Sequence, residues 1–303
     1  MQGKAAILSA ILFAAAHFSF AQESSDNTRR FTGVISPFLD HHTSISEGYA
    51  LHWSVAYAPY DKKTNFAYGN LSLSIAGLLK ASFSHDGVIG APTGLMEPID
   101  LLALQLQIVQ QREQLPGVSV FLKTMTDKET RTLYGNDLFT ELREIYFRGV
   151  STISYDARTT VAGVSLSTMP LDELSINASL GVREIVWKQK WAHYRTGNDL
   201  PTGWVSPLAE RTNLGIDWSV SAAARPLQQL GVIAEISSMP YADIDGTSLL
   251  IEARMGYAGT IGICYYLPLS LRVDLYDRWV LASSKQSAYH QVRLGISSDI
   301  QFL

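Results

Sequence analysis

The most constraining feature of this sequence is an alternation of apolar and polar residues that recurs along most of the chain. In HQVRLGISSDIQFL (290–303), Val292, Leu294 and Ile296 alternate with polar or small residues. A period of two places apolar side chains on one face of a β-strand and polar side chains on the other. The pattern therefore predicts an all-β protein. Three further stretches follow the same rule: ELSINASLGV (173–182), NLGIDWSVSAA (213–223) and LSLRVDLYDRW (269–279).

Weaker copies of the alternation bring the expected number of strands to about fourteen, each about the length that crosses a bilayer as tilted β-structure. Turn-forming residues separate them, among them the segment 155–158. The weaker copies are 49–58, 70–76, 78–85, 101–110, 117–124, 143–155, 159–167, 229–237, 247–257 and 259–267.

The overall composition is that of an apolar protein without an apolar run long enough for a membrane helix. Charged residues make up only 17% of the chain, and no run after residue 21 approaches the ~20 apolar residues of a helical span. We therefore predict a transmembrane antiparallel up-and-down β-barrel of about 12–14 strands over residues 49–303. A secreted soluble β-sandwich or β-barrel that binds glycan or protein remains the alternative.

The first residues predict export. Residues 1–21 combine Lys4 with a short apolar run and small residues before the expected cleavage site after Ala21, which is typical of a signal peptide. Residues 22–48 are interpreted as a periplasmic lead-in or plug-like segment. The single cysteine, Cys264, cannot form an internal disulfide. The net charge of −4 gives no basic excess for nucleic acid.

The counting of strands leaves one conflict. A barrel with both ends in the periplasm carries its long loops outside. Counting back from Leu303 places the long stretch 183–206 on the periplasmic side. Either one predicted strand between 206 and 278 is wrong, or REIVWKQKWAHY (183–194) is itself a strand.

The final strand, with Phe302 next to the last residue, resembles the C-terminal strand of bacterial outer-membrane β-barrel proteins. In that family a terminal aromatic residue is the signal for the insertion machinery. The resemblance implies that Phe302 is the insertion signal and that outer-membrane lipid and the barrel-insertion machinery are partners. The family's usual pattern has the aromatic residue last, whereas Leu303 follows it here.

A narrower resemblance covers about two thirds of the mature chain. The stretches GNLSLSIAGLLKASFSHDG, QLPGVSVFLKT, LGVIAEISSMPYADIDG and IGICYYLPLSLRVDLYD are similar in order and turn chemistry to the YjbH-type barrels associated with exopolysaccharide export. This resemblance implies a role in surface polysaccharide export, with polysaccharide or export proteins as partners.

Charges of both signs lie on the polar faces of several strands, where they would line the barrel interior and set what enters. We predict a non-enzymatic protein with a narrow or plugged channel, because a barrel of this size has little free interior once side chains fill it. The expected lining residues are Glu252, Arg254, Arg272, Asp274 and Arg293.

Aromatic residues near the strand ends are typical of the girdles that membrane barrels place at the two interfaces. The sequence predicts this position for Trp53, Tyr57, Tyr60, Trp187, Trp191, Tyr276 and Trp279.

Residues with catalytic potential do not form a recognisable set, so no catalytic residue and no cofactor is predicted. His85 follows Ser82 and Ser84, and His290 follows Ser284 and Ser287, but none of these serines has the glycine-flanked setting of an activated nucleophile. An outer-membrane hydrolase of lipid or envelope polymer is the alternative and would need one of these histidines within hydrogen-bond reach of a serine.

No metal site is predicted either. The adjacent His41 and His42 point in opposite directions on an extended chain. Asp243 and Asp245 stand two apart beside a glycine, a pattern that can bind Ca²⁺ but also occurs in a simple Asp-Gly hairpin turn. The turn is the preferred interpretation.

Overall fold

The computed structural model describes residues 49–59, 65–89, 99–110, 116–134, 149–171, 173–195, 203–205, 209–244, 251–268, 270–281 and 289–302. These residues form thirteen β-strands. No helix in this part of the chain has the length and apolar character needed to cross a membrane. The strands are β1 Tyr49–Pro59, β2 Asn65–Ile75, β3 Leu79–Ile89, β4 Ile99–Val109, β5 Gly117–Tyr134, β6 Gly149–Leu171, β7 Leu174–Arg195, β8 Gly203–Val205, β9 Ala209–Leu227, β10 Leu230–Ile244, β11 Ile251–Tyr266, β12 Leu271–Leu281 and β13 Tyr289–Phe302.

The strands close into a ring. Neighbours in sequence pair antiparallel, β6 pairs with β7, and β1 pairs with β13 from Tyr49↔Phe302 to Tyr57↔Leu294. The three-residue β8 pairs with β7 on the same side as β9, just beyond the point where the β7–β9 pairing ends. It is therefore not counted as a separate strand of the ring. The result is a closed antiparallel barrel of 12 strands, which confirms the predicted fold class.

The residue pairing also fixes the dimensions of the barrel. Followed once around the ring, the register shifts by about 14 residues. With strands about 4.8 Å apart and a rise of about 3.3 Å per residue, this shear corresponds to a strand tilt of about 40° and a backbone diameter of about 23 Å.

Two pairs of predicted strands are single long strands. Residues 149–155 and 159–167 lie in β6, and residues 251–257 and 259–266 lie in β11. The turn predicted at 155–158 was wrong, because Asp156 pairs with Lys188 and Arg158 with Val186 inside the β6–β7 ladder. Residues 155–158 pair with β5 on one side and with β7 on the other. They therefore stay extended, although their residue types favour a turn. REIVWKQKWAHY lies in β7, which resolves the conflict in loop orientation.

The connections differ sharply between the two ends of the barrel. Residues 76–78, 110–116, 172–173, 228–229 and 267–270 connect strands at the end where Tyr49 and Phe302 lie, which we call the turn end. Ala76, Gly77 and Ser270 have positive φ there, as tight turns require. The opposite end, which we call the loop end, holds the longest connections, among them 90–98 and 135–148, together with the shorter 60–64, 245–250 and 282–288.

Large apolar side chains cover the outside of the barrel. Leu214 is 75% exposed and Val182 is 64% exposed, and they belong to a belt of outward residues on every long strand. Tyr49 and Tyr57 bound this belt on β1, and the same separation recurs between Tyr257 and Tyr265 on β11. At the tilt given above, each pair spans about 20 Å along the barrel axis.

Candidate functional site in the barrel interior

The inward face of the strands is mostly polar, because most of the residues that alternate with the apolar belt are serine, threonine, glycine or charged. Its hydroxyl groups bond across strands. The Gln105 amide donates to Ser119 Oγ at 2.7 Å, and Ser119 Oγ lies 2.8 Å from Ser165 Oγ. Ser179 and Ser219 form a similar pair at 2.8 Å. Hydrogen-bonded polar side chains therefore occupy much of the interior, beside a small apolar cluster that includes Ile233 and Cys264.

A group of charges at mid-height, which we call the mid-barrel cluster, is centred on Asp217 of β9. Lys123 Nζ of β5 lies 3.0 Å from Asp217 Oδ2, and Arg183 Nη1 of β7 lies 3.6 Å from Asp217 Oδ1. Ser238 donates its hydroxyl to the same carboxylate at 3.2 Å. Gly215 makes room for this arrangement, since a Cβ there would lie 2.9 Å from Arg183 Nη2.

A second group, the turn-end cluster, lies where the first and last strands meet. Arg272 Nε donates to Asp274 Oδ1 at 2.6 Å, and Ser297 Oγ donates to Asp274 Oδ2 at 2.6 Å. His52 Nδ1 lies 2.8 Å from Asp299 Oδ1. Arg272 is 3% exposed and Asp274 is 0% exposed, so this ion pair is fully desolvated by its neighbours. Removing either partner of such a buried pair is strongly destabilising, because the remaining charge is left buried without its counter-charge.

Aromatic rings complete the turn end. The guanidinium of Arg225 stacks on the ring of Tyr266 at 4.1 Å and its Nε donates to the carbonyl of Gln228 at 2.8 Å. Arg293 lies 6.0 Å from the ring of Tyr68. Such stacking holds cations in place without neutralising them.

The structure describes the side chains of three of the five predicted lining residues. Arg272, Asp274 and Arg293 are inward and buried. Glu252 and Arg254 belong to β11, but their side chains lie outside those described. Four interior residues were not predicted from the sequence, although each stands at a polar position of an alternating strand. They are His52, Lys123, Arg183 and Asp217.

Two of the predicted girdle residues are not at a membrane interface. Tyr276 is 0% exposed and packs inside the barrel against Gly262, in a small cluster with Ile233 and Cys264. Trp187 is also inward and buried. Both occupy polar-face positions of their strands, and the alternation decides their direction. Trp53, Tyr57 and Trp279 are at outward positions.

Tyr60 and the predicted signal peptide, residues 1–21, lie outside the described residues. The same holds for residues 22–48, which include His41 and His42, and for Asp245. Asp243 belongs to β10, but its side chain lies outside those described. Trp191 also lies in a described strand without a described side chain. The predictions that rest on these residues stay predictions.

The histidine–serine arrangement needed for a hydrolase is not formed at His85. His85 is outward and pairs with Asp100 through a 2.6 Å contact between Nδ1 and Oδ1, whereas Ser82 and Ser84 occupy the opposite face of β3. The side chain of His290 lies outside those described. In the interior, neither His52 Nε2 nor the Ser54 hydroxyl has a hydrogen-bond partner within the described structure, so they do not contact each other.

The distribution of polarity decides where the protein resides. In water, a closed β-barrel buries its aliphatic side chains inside, but here they face outward and the ion pairs face inward. This inversion, the aromatic residues at both edges of the belt, and the absence of an open edge in the ring suit a bilayer. The protein is an outer-membrane β-barrel. Since such barrels have short periplasmic turns and longer external loops, the turn end is periplasmic and the loop end is extracellular.

Comparisons with known proteins found similar solved structures but no similar sequence. No protein-family profile and no curated protein matches the chain. The translocator domain of the autotransporter NalP from Neisseria meningitidis is similar over 86% of this chain and 90% of that chain, with 12% identity and a TM-score of 0.48. The CymD monoaromatic hydrocarbon channel is similar over 85% and 89%, with 9% identity and a TM-score of 0.48. The NanC porin is similar over 82% and 98%, with 10% identity and a TM-score of 0.44.

Proposed function

We propose that the protein is a non-enzymatic outer-membrane channel with a narrow interior that favours small anions. The observation that carries the proposal is an excess of cations among the described inward side chains. Rings and clusters of arginine and lysine are the usual basis of anion preference in pores. The inward cations are Lys80, Lys123, Arg183, Arg211, Arg225, Arg272, Arg278 and Arg293, and the inward carboxylates are Asp217, Glu235, Asp274 and Asp299.

The narrowness of the passage follows from the burial of these groups. Arg183, Asp274 and Tyr276 are each at most 3% exposed, although they lie on the interior face of a barrel about 23 Å across. Side chains therefore fill the cross-section at two heights. Solutes that pass would be small and would exchange hydration water for contacts with the fixed charges.

Charge-neutralising variants test the proposal in planar bilayers, where the reversal potential under a KCl gradient reports ion preference. The wild-type protein is expected to show a small conductance with preference for chloride. Asp217→Asn is expected to raise that preference, because the substitution leaves Lys123 and Arg183 without their carboxylate. Arg158→Gln, an exposed outward position on β6, is the control and is expected to leave the reversal potential unchanged.

A preference for potassium, or a reversal potential that Asp217→Asn does not move, would contradict the proposal. A heat-shifted band on SDS gels confirms that each variant is folded before it is measured. A role in surface polysaccharide export rests on the sequence resemblance alone.

A further inference from the structure

The hydrogen-bonded ladder between β9 and β10 ends part-way up the barrel wall. The last pair of residues in this ladder is Ser237↔Ser219. Both strands continue toward the extracellular end, β9 to Ala209 and β10 to Ile244, and they stay paired there with β7 and β11. Among the described residues, no main-chain pairing joins 209–218 to 238–244. We call this unpaired part of the wall the β9–β10 seam.

A proline on β10 accounts for the end of the ladder. Continued by three residues, the register places Pro240 opposite Ile216. Proline has no N–H and cannot donate to a ladder on the side that its nitrogen faces. Just below it, the Trp218 N–H donates to the hydroxyl of Ser238 at 3.0 Å instead of to a main-chain carbonyl. Pro240 keeps its place opposite Met255 of β11, so only the β9 side of β10 loses its partner.

The β9 side of the seam carries main-chain donors and acceptors. In an antiparallel sheet the N–H and C=O of one residue point to the same side, and this side alternates from residue to residue. The Arg225 N–H points to β7 and donates to the Glu173 carbonyl at 2.8 Å, whereas the Trp218 N–H points to β10. Leu214 and Ile216 lie an even number of residues from Trp218. Their main-chain groups therefore face the seam, where no described strand pairs with them.

The side chains of the same two residues form an apolar rim on the outside of the seam. Leu214 is 75% exposed, more than any other large apolar side chain described, and Ile216 is 61% exposed. Leu214 pairs with Glu184, the first charged outward residue above the apolar run of β7. Lipid chains offer no hydrogen bonds to the main chain, and water covers apolar side chains unfavourably. An extended polypeptide satisfies both requirements.

The inward face beside the seam is cationic. Arg211 is exposed at an inward position, and Gly215 lies against the guanidinium of Arg183, with its Cβ position 2.9 Å from Nη2. Residues 212–216 contain no proline and no charged residue, the types that usually protect a free strand edge from pairing. An added strand would therefore bring apolar side chains to the apolar rim and acidic side chains toward the two arginines.

We propose that the β9 side of the seam binds an extended segment of a partner protein, in which apolar and acidic residues alternate, as an added antiparallel strand. Main-chain hydrogen bonds to Leu214 and Ile216 would supply affinity, and the alternation of side chains would supply specificity. The seam lies at the extracellular end, so the partner is a protein outside the cell or on its surface. This binding is separate from conductance and does not depend on it.

Disulfide formation tests whether the seam is open. Two pairs of outward cysteines are introduced in a Cys264→Ser background. Val220→Cys with Ile236→Cys lies in the paired part of the ladder, and Leu214→Cys with Ala242→Cys would be partners if the same register continued. A disulfide needs Cα atoms about 4.4–6.8 Å apart. The first pair is expected to form a disulfide under mild oxidation, and the second pair is expected to stay reduced.

Binding is measured by fluorescence anisotropy with a labelled synthetic peptide of alternating valine and glutamate, on the full-length protein in micelles and in lipid vesicles. In an added antiparallel strand the outward valines direct their N–H groups toward β9, and the glutamates direct theirs away. N-methylation of the valine amides is therefore expected to abolish binding, whereas N-methylation of the glutamate amides is expected to preserve it.

A variant of β9 tests the same contact from the protein side. Leu214→Pro removes an N–H that faces the seam and leaves the pairing with β7 in place, so it is expected to weaken binding about tenfold. Arg158→Gln, on β6 with paired strands on both sides, is the control and is expected to bind the peptide as the wild type does.

The proposal is overturned if the cysteine pair at 214 and 242 forms a disulfide as readily as the pair at 220 and 236, if the peptide does not bind, or if the two methylated peptides bind equally. Binding in micelles that is lost in vesicles would assign the apolar rim to lipid and would also overturn it. The methylated peptides use the wild-type protein, so the test holds even if Leu214→Pro does not fold. Conductance is measured separately, so a failure of the channel proposal leaves the peptide result unaffected.

Discussion

A comparison of two arginine substitutions on β5 tests the position of the bilayer along the barrel. Leu122 and Thr126 both face outward on the same strand, and Leu122 is 49% exposed beside Leu104 of β4. Thr126 stands four residues nearer the loop end and pairs with Asp100, the last outward residue of β4 above its run of leucines. The two positions differ in height by about 10 Å at a tilt of about 40°.

The expected cost of an arginine depends on that height. A lipid-facing arginine at the midplane of a barrel costs about 2–4 kcal/mol, and the cost falls to about 0–1 kcal/mol near the interface. Leu122→Arg is therefore expected to lower the free energy of unfolding by about 2–4 kcal/mol, and Thr126→Arg by less than about 1 kcal/mol. Both are measured by urea unfolding of the protein in lipid vesicles. Equal losses at the two positions, or a larger loss for Thr126→Arg, would refute the placement of the bilayer.

Two further substitutions test the packing of the interior. Asp274→Ala leaves the buried guanidinium of Arg272 without its carboxylate and is expected to destabilise the barrel by about 3–5 kcal/mol in the same unfolding assay. The double variant Asp274→Leu with Arg272→Met is expected to recover most of this loss, because it removes both charges. A double variant that stays as unstable as Asp274→Ala would contradict the charge argument. Gly262→Ala is expected to cost about 1–3 kcal/mol, because its Cβ would overlap the ring of Tyr276, whereas Gly69→Ala meets no atom within 4 Å and should be near neutral. Similar costs for the two glycines would show that the interior is not packed around that ring.

The alternation in the sequence was sufficient to predict the class of fold, because strand direction and facing follow from a period of two. It was not sufficient for the number of strands. In β6 the segment 155–158 carries turn chemistry, but it is paired on both sides by β5 and β7 and stays extended. Pairing with neighbours decides between a turn and a strand, and the partners are not visible in the local sequence.

Of the charge pairs in the interior, the sequence indicated only the one whose members are close in sequence. Arg272 and Asp274 are two residues apart on one face, so the sequence itself brings them together. Lys123 and Asp217 come together because β5 and β9 are placed around the ring by the shear of the whole barrel. The prediction for Tyr276 was wrong for a different reason. Its polar-face position in LSLRVDLYDRW already indicated the interior, but it was assigned to the membrane girdle because it lies near a strand end.

The most direct test of the central claim is a nitroxide scan along β5 in vesicles, with single cysteines placed from 118 to 126 in a Cys264→Ser background. Oxygen, which partitions into lipid, and a water-soluble nickel chelate are used as relaxation agents. The account predicts that labels at 120, 122 and 124 collide with oxygen and not with the chelate, most strongly at 122, and that labels at the odd positions are shielded from oxygen. Labels at 120, 122 and 124 that collide freely with the nickel chelate would mean that this face is in water, and would contradict a barrel embedded in the outer membrane.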